Sequence, residues 1–213
     1  MCRRQWRMRR LVLPALALFA LLAPAAHAFR LPEEALEPIA NNPANRFEKI
    51  GIDPIEYDAA TRCSKKEKPG VVAFTHWLQR NAQGQFWGSY RCEKWGKHSA
   101  SLHAENRAVD WHLDAYDRGD RAHAAGLIAM LLAPDTAGNP QALARRMGVQ
   151  EIIWDCSYWG AGMTDFKKYD PCYKRNGQPV KRMNKTVAHR DHVHFGISKR
   201  GAKGRTTYWQ YTG

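Results

Sequence analysis

From Pro69 to about Asn81 the apolar residues recur with helical spacing. Val71, Phe74 and Leu78 share one face, Trp77 stands beside them, and a proline occupies the first turn. Gly84 ends this helix. Gln85–Trp95 is rich in aromatic residues and reads as a strand with a turn, and Lys97–Asn106 reads as a loop. Arg107–Leu113 then alternates as a strand does, with Val109, Trp111 and Leu113 on one face and Ala108, Asp110 and His112 on the other. A second helix is predicted over about Asp120–Leu132, with Ala124, Leu127, Ile128 and Leu131 as its buried stripe and Pro134 as its stop. A third takes Asn139 as cap, Pro140 as first residue and Gly148 as terminator. Glu151–Asp155 reads as a short buried strand, residues 157–186 as a long polar loop, and Thr186–Ile197 as the strand that closes the core. This order predicts an α+β domain with a small, mainly antiparallel sheet and flanking helices over residues 69–213. Residues 29–68, rich in proline, asparagine and charge, read as an irregular lead-in wrapped on that domain.

The N-terminus has a different pattern. Five arginines and no acid fall in residues 1–10, Leu11 to Leu22 is almost wholly apolar, and Ala26-His27-Ala28 places small residues at a cleavage site. Residues 1–28 therefore read as a secretory signal peptide, because the apolar run is too short to span a bilayer comfortably. The competing reading is an uncleaved anchor. Cleavage predicts a secreted or periplasmic protein that stays out of the membrane.

The whole chain carries 33 basic and 20 acidic residues. Losing the five leader arginines leaves 28 basic residues, a net charge of +8, and a surface that favours anionic partners. Charge alone does not distinguish nucleic acid, anionic lipid and wall polymer. Four cysteines remain after cleavage, Cys63, Cys92, Cys156 and Cys172. An even count in an exported chain predicts disulfides, and Cys63–Cys92 with Cys156–Cys172 is the pairing in which each bridge brackets one local unit. No C-x-x-C spacing supports a structural zinc site instead.

Two segments carry candidate chemistry. In His189-Arg190-Asp191-His192-Val193-His194, strand alternation projects His192 and His194 to one face. In Ser101-Leu102-His103-Ala104-Glu105-Asn106-Arg107-Ala108-Val109-Asp110, a loop histidine precedes a strand carboxylate by seven residues. Two histidines and one carboxylate, with a position left for water, is the donor set of a catalytic rather than a structural zinc. Asn106 falls where a tight turn needs positive φ.

Taken in order, Gly88-Ser89-Tyr90-Arg91-Cys92, Ser101-x-His103, Arg107-Ala108-x-Asp110 and Asp191-His192-x-His194 resemble the LAS-type zinc peptidases, the group of lysostaphin, the D-alanyl-D-alanine carboxypeptidases and the hedgehog fold. The nearest likeness is to the bacterial extensin-like C-terminal domain, over roughly residues 61–198. The resemblance implies a hedgehog/D-Ala-D-Ala peptidase-like fold and Zn2+ on His103, Asp110 and His194. It implies Arg91 facing a substrate carbonyl or carboxylate, and Asp191 as catalytic base. Asn106 stands where the family often has glycine, and Asp191 where many members have glutamate. An ideal strand turns Asp191 away from the face of His192 and His194, so its role as base requires an irregular start to that strand. His192 is then a group behind the ligands or a donor to the oxyanion.

The expected activity is hydrolysis of peptide bonds in peptidoglycan, as carboxypeptidase or endopeptidase. The expected partners are peptidoglycan peptides, with no nucleic acid, and the protein is expected to be a monomer. A wall-binding module of the same fold without turnover is the alternative. A secreted nuclease fits the charge, but no H-N-H-like phosphate site is present. Arg91 also admits a plain salt bridge. His189 reads as a loop residue, and His76, His98, His112 and His123 as surface or core. Tyr90, Trp87, Trp111 and Trp154 read as core, and Tyr158-Trp159 as a pair that lines a cleft or simply packs.

Overall fold

A computed structural model describes residues 29–31, 37–54 and 57–212. The predicted signal peptide, residues 1–28, lies outside the described residues. Among those described, no helix is long and apolar enough to cross a membrane.

Helix α1 spans Pro69–Asn81, as the periodicity predicts, and buries Val71, Phe74, Trp77 and Leu78. Strand β1 (Gln85–Gly88) follows, then a small separate hairpin of β2 (Lys94–Gly96) and β3 (Ser99–Ala100). The predicted single unit over Gln85–Trp95 is thus divided between two sheets. Strand β4 (Ala108–His112) precedes α2 (Arg118–Leu132) and α3 (Ala142–Met147). Strands β5 (Val149–Trp154), β6 (Ser157–Gly160), β7 (Lys167–Lys168) and β8 (His192–Ile197) come next, and α4 (Lys199–Ala202) and α5 (Thr207–Thr212) end the chain.

The main sheet has six strands in the order β1-β4-β8-β5-β6-β7, and every pairing is antiparallel. The fold is α+β with a mainly antiparallel sheet and flanking helices. The last strand in the chain is inserted at the centre, so β8 lies between β4 and β5. Alternation then sorts the side chains. Val109, Trp111, Ile152, Trp154, Val193 and Phe195 join Phe74, Trp77, Ile128, Leu131 and Leu143 in the main core. Asp110, Glu151, His192 and His194 fall on the opposite face.

Several boundaries differ from the sequence reading. Helix α3 starts at Ala142, after Gln141 in the left-handed region, and Asn139 does not cap it. Asn139 instead donates to the carboxylate of Asp135, which is buried against Arg146. Gly148 does terminate α3, at φ 80°. Residues 157–186 are not one loop. Asp155 and Cys156, at φ 40° and 59°, form a two-residue hairpin turn that folds β6 back on β5. That turn usually takes asparagine or glycine, so Asp-Cys gave no signal for it. Strand β8 begins at His192 and not at Thr186, because residues 184–190 close on themselves through Ala188 N–H to Asn184 O and Arg190 N–H to Lys185 O. The core also does not end with β8, since Ala202 and Tyr208 belong to it. From the lead-in, Ala44 and Phe47 join the same core. Trp87 departs from its predicted burial: it is 50% exposed and stacks on the His112 ring at 4.3 Å.

Cys63 is joined to Cys92 and Cys156 to Cys172. The first bridge ties the segment before α1 to the residue next to Arg91. The second pins the β5–β6 turn to the Asp170–Cys172 turn.

Candidate metal centre

His103 lies in a 3-10 turn over Leu102–Glu105, capped by the Ser101 hydroxyl and ended by Asn106 at φ 54°. The turn rests on the sheet at Gly196, where a Cβ would lie 2.3 Å from Leu102 Cδ1. A side chain at 196 would also meet Glu151 Cβ at 2.8 Å, so the position holds glycine where the turn and β5 close on β8. Asp110 on β4 and His194 on β8 are register partners, which brings their side chains together on the face away from the core.

The three meet at one point. His103 Nε2 is 3.0 Å from Asp110 Oδ1 and 3.1 Å from His194 Nδ1, and His194 Nδ1 is 3.1 Å from Asp110 Oδ1. All three residues are buried. The outer nitrogens define the tautomers. His103 Nδ1 is 3.0 Å from the Ser89 carbonyl, which can only accept, so Nδ1 carries the proton. His194 Nε2 donates to Glu151 Oε1 at 3.1 Å. The inner nitrogens are thereby left as lone pairs facing each other and a carboxylate oxygen. Three electron-pair donors do not converge stably unless something positive lies between them. Ligands about 2.1 Å from a tetrahedral ion stand roughly 3.4 Å apart, close to the spacings found here. The His103, Asp110 and His194 cluster can therefore hold a metal ion.

Electrostatics point the same way. Burial pushes the Asp110 carboxyl up, but hydrogen bonds from His103 and His194 outweigh it and hold the group well below the usual carboxylate range. Burial likewise opposes charge on His194, yet Asp110 and Glu151 override it, and without a metal its pKa is pushed up to about 9. A proton thus occupies the place a cation would take. His103 is held below the ordinary imidazole value, chiefly by burial.

Glu151 was not singled out in the sequence. It sits on β5 across from Gly196, buried, with its charge kept by His194 and by the Tyr57 hydroxyl at 2.7 Å. A carboxylate next to Ile152, Ile153 and Trp154 in a predicted buried strand is the signal that was available.

Asp191 lies behind His192. Its Oδ1 accepts from His192 Nδ1 at 2.7 Å and its Oδ2 from the Thr186 hydroxyl at 2.6 Å. Its backbone carbonyl accepts from His112 Nδ1 at 2.7 Å. The sequence reading expected Asp191 in front and His192 behind it. Here His192 holds the forward position: its Nε2 has no hydrogen-bond partner and stands 3.4 Å from Asp110 Oδ1. The reversal comes from β8 starting at His192, which leaves Asp191 in the preceding turn. Burial keeps the His192 pKa below its ordinary value, so the ring is neutral with a bare Nε2.

Arg91 reaches Asp110 Oδ2 through Nη1 at 2.7 Å and Glu93 through Nε at 3.3 Å, and its side chain stays 50% exposed. It combines the salt-bridge reading with a place on the cleft wall. That cleft, of about 310 Å³, is also lined by Tyr57, Trp95, Tyr169 and His189. His189, at φ 50°, packs 4.8 Å from the His192 ring. Trp159 does not line the cleft; it is buried in the main core.

Comparison of the chain with protein-family models, curated proteins and solved structures finds no match.

Proposed function

We propose that the protein is an exported zinc peptidase of the LAS type that hydrolyses peptide bonds in peptidoglycan. The observation that carries this reading is the pairing of two constellations on one sheet face: three converging electron-pair donors, and beside them a neutral His192 whose Nε2 has no partner. Two imidazoles and one carboxylate suit zinc better than the oxygen-seeking Mg2+ or Ca2+. His103, Asp110 and His194 would hold the ion, which would supply Lewis acidity for the scissile carbonyl and for water near neutral pH.

The chain's own residues do the rest. His192 Nε2 takes the proton from the attacking water and returns it to the leaving amine. Asp191 fixes the ring, since its Oδ1 holds Nδ1–H and so keeps Nε2 as the acceptor. It also steadies the imidazolium formed in between. Arg91 keeps part of its guanidinium toward the cleft, placed to bind the developing oxyanion or a substrate carboxylate. Glu151, braced by Tyr57, orients His194 and makes it a better donor. The buried ligands and the two disulfides suit work outside the cytoplasm, where the wall lies.

The test is incubation of purified peptidoglycan with the protein, with and without chelator, reading released fragments by mass. Chelator-sensitive release of fragments with a newly cleaved peptide bond is the expected result. A protein that binds zinc and the wall but releases nothing would instead be the wall-binding module.

A further inference from the structure

A second concavity, of about 520 Å³, lies beyond the metal cleft and differs from it in charge. Its floor is neutral, because Arg107 Nε donates to Glu105 Oε2 at 2.9 Å and its other nitrogens reach the carbonyls of Ile197 and Asp58. Its rim is basic: Arg62, Lys66, Lys68, Lys203 and Arg205 line it, and none of them forms an ion pair among the described residues. Glu67 is the acid facing them. The two walls are held in place by backbone contact. A Cβ at Gly70 on α1 would lie 1.8 Å from the Gly201 carbonyl oxygen on α4, so Lys68 and Lys203 are presented across a fixed gap.

The lining narrows the partner. Among the described residues no aromatic side chain lines the recess, so they offer no stacking platform for single-stranded nucleic acid. Its apolar lining among the described residues amounts to Pro69 and Ala202, and its shape is concave, so these residues offer nothing to insert into a bilayer. Cations lining a recess suit a flexible chain with carboxylates spaced along it. The recess and the metal centre are linked through the chain, although their linings share no residue. Thr61 on its edge is held by Glu105, two residues from His103, and the same segment carries Tyr57 into the metal cleft. Arg107 to Asp110 is about 10 Å along the strand direction.

We infer that this basic recess is an exosite for the carboxylate-bearing peptides of the wall polymer, holding a second stretch of the polymer while another occupies the metal cleft. This rests on the wall-peptidase reading above. Tethering at two points raises the effective concentration of scissile bonds at the metal cleft, so the recess acts on polymer and not on short peptides.

The experiment compares the purified protein with an R62Q/K66Q/K203Q/R205Q variant, whose changes lie on exposed side chains away from the metal ligands. Sedimentation with purified peptidoglycan measures binding, and fragment release measures turnover on the polymer and on a short soluble wall peptide. The variant is expected to bind the polymer about tenfold more weakly and to lose polymer turnover in proportion, with short-peptide turnover unchanged. Polymer binding by the unmodified protein should also fall as salt rises, a readout that does not depend on the variant folding. Equal binding by the two proteins, or salt-insensitive binding, overturns the inference. So does tighter binding of duplex DNA or of phosphatidylglycerol vesicles than of peptidoglycan. Absence of chelator-sensitive release from the short peptide by either protein is a different result, and it overturns the peptidase reading itself.

Discussion

Asp110 and His194 stand opposite each other in the β4–β8 ladder, and their facing atoms meet at 3.1 Å. The pairing exists because the last strand of the chain enters the sheet between β4 and β5. Replacing either residue with alanine should abolish stable metal binding, because two donors remain where three converged. Metal analysis after dialysis should show about one zinc per chain in the unmodified protein and far less in either variant. At a hundredfold excess of zinc over its Kd, the unmodified protein should gain about 2.7 kcal/mol of stability, seen as a rise in Tm that His194→Ala lacks.

Glu151 should tune that site without touching the ion. Glu151→Gln keeps the shape but removes the charge that orients His194. Zinc affinity should fall about 10- to 100-fold, measured by competition with a chelating dye. The pH dependence follows from His194. Its pKa in the folded, metal-free protein is raised to about 9, above the ordinary imidazole value. The stability this proton contributes is fully present below about pH 6.5 and is lost as pH rises through about 9. Zinc must displace the same proton, so its affinity should increase with pH up to about 9 and then level off. An affinity that is flat between pH 6 and 9 would contradict the arrangement.

The two disulfides should contribute differently. Cys156–Cys172 closes a loop of 16 residues in sequence separation and pins a turn that contributes no metal ligand. Its removal should cost about 3 kcal/mol of stability and leave zinc affinity unchanged. Cys63–Cys92 lies beside Arg91, which bonds Asp110. Its loss should also raise KM on a short wall peptide, because the Arg91 segment is no longer tethered. Denaturant melts and steady-state kinetics on Cys63→Ser/Cys92→Ser separate the two effects.

How much of this was legible in the sequence depends on which force placed each residue. His103, Asp110 and His194 could be read because loop position and strand alternation are local properties, and the motif order supplied the rest. Helices α1 and α2 announced themselves through apolar spacing. Glu151 was not assigned, because a carboxylate in a predicted buried strand signals a polar partner without naming it, and that partner comes from β8 entering beside β5, a long-range pairing. The β5–β6 hairpin stayed hidden behind a turn built on Asp155 and Cys156 in the left-handed region, held by a disulfide and not by a turn-forming sequence. Trp87 looked like core because it is aromatic. It lies instead on the exposed edge strand β1, over His112.

Asp191 and His192 divide the work of the proposed base between them. Both stand within three residues of His194, and the sequence favoured Asp191 as base. In the structure both oxygens of Asp191 are engaged, one by His192 Nδ1 and one by the Thr186 hydroxyl, while His192 Nε2 has no partner. His192→Ala should therefore keep its zinc and lose roughly 100- to 10,000-fold in kcat on a wall peptide. Asp191→Asn should also keep its zinc and lose activity, since an amide no longer enforces the tautomer that leaves Nε2 bare. The pH profiles tell the two roles apart. Burial lowers the His192 pKa, and Asp191 is among the groups that raise it. Removing the Asp191 charge should lower the pKa further, so the acid limb of kcat/KM should move to lower pH in Asp191→Asn, at reduced height. If Asp191 were the base, Asp191→Asn would remove that limb instead of shifting it, and His192→Ala would retain most of its turnover.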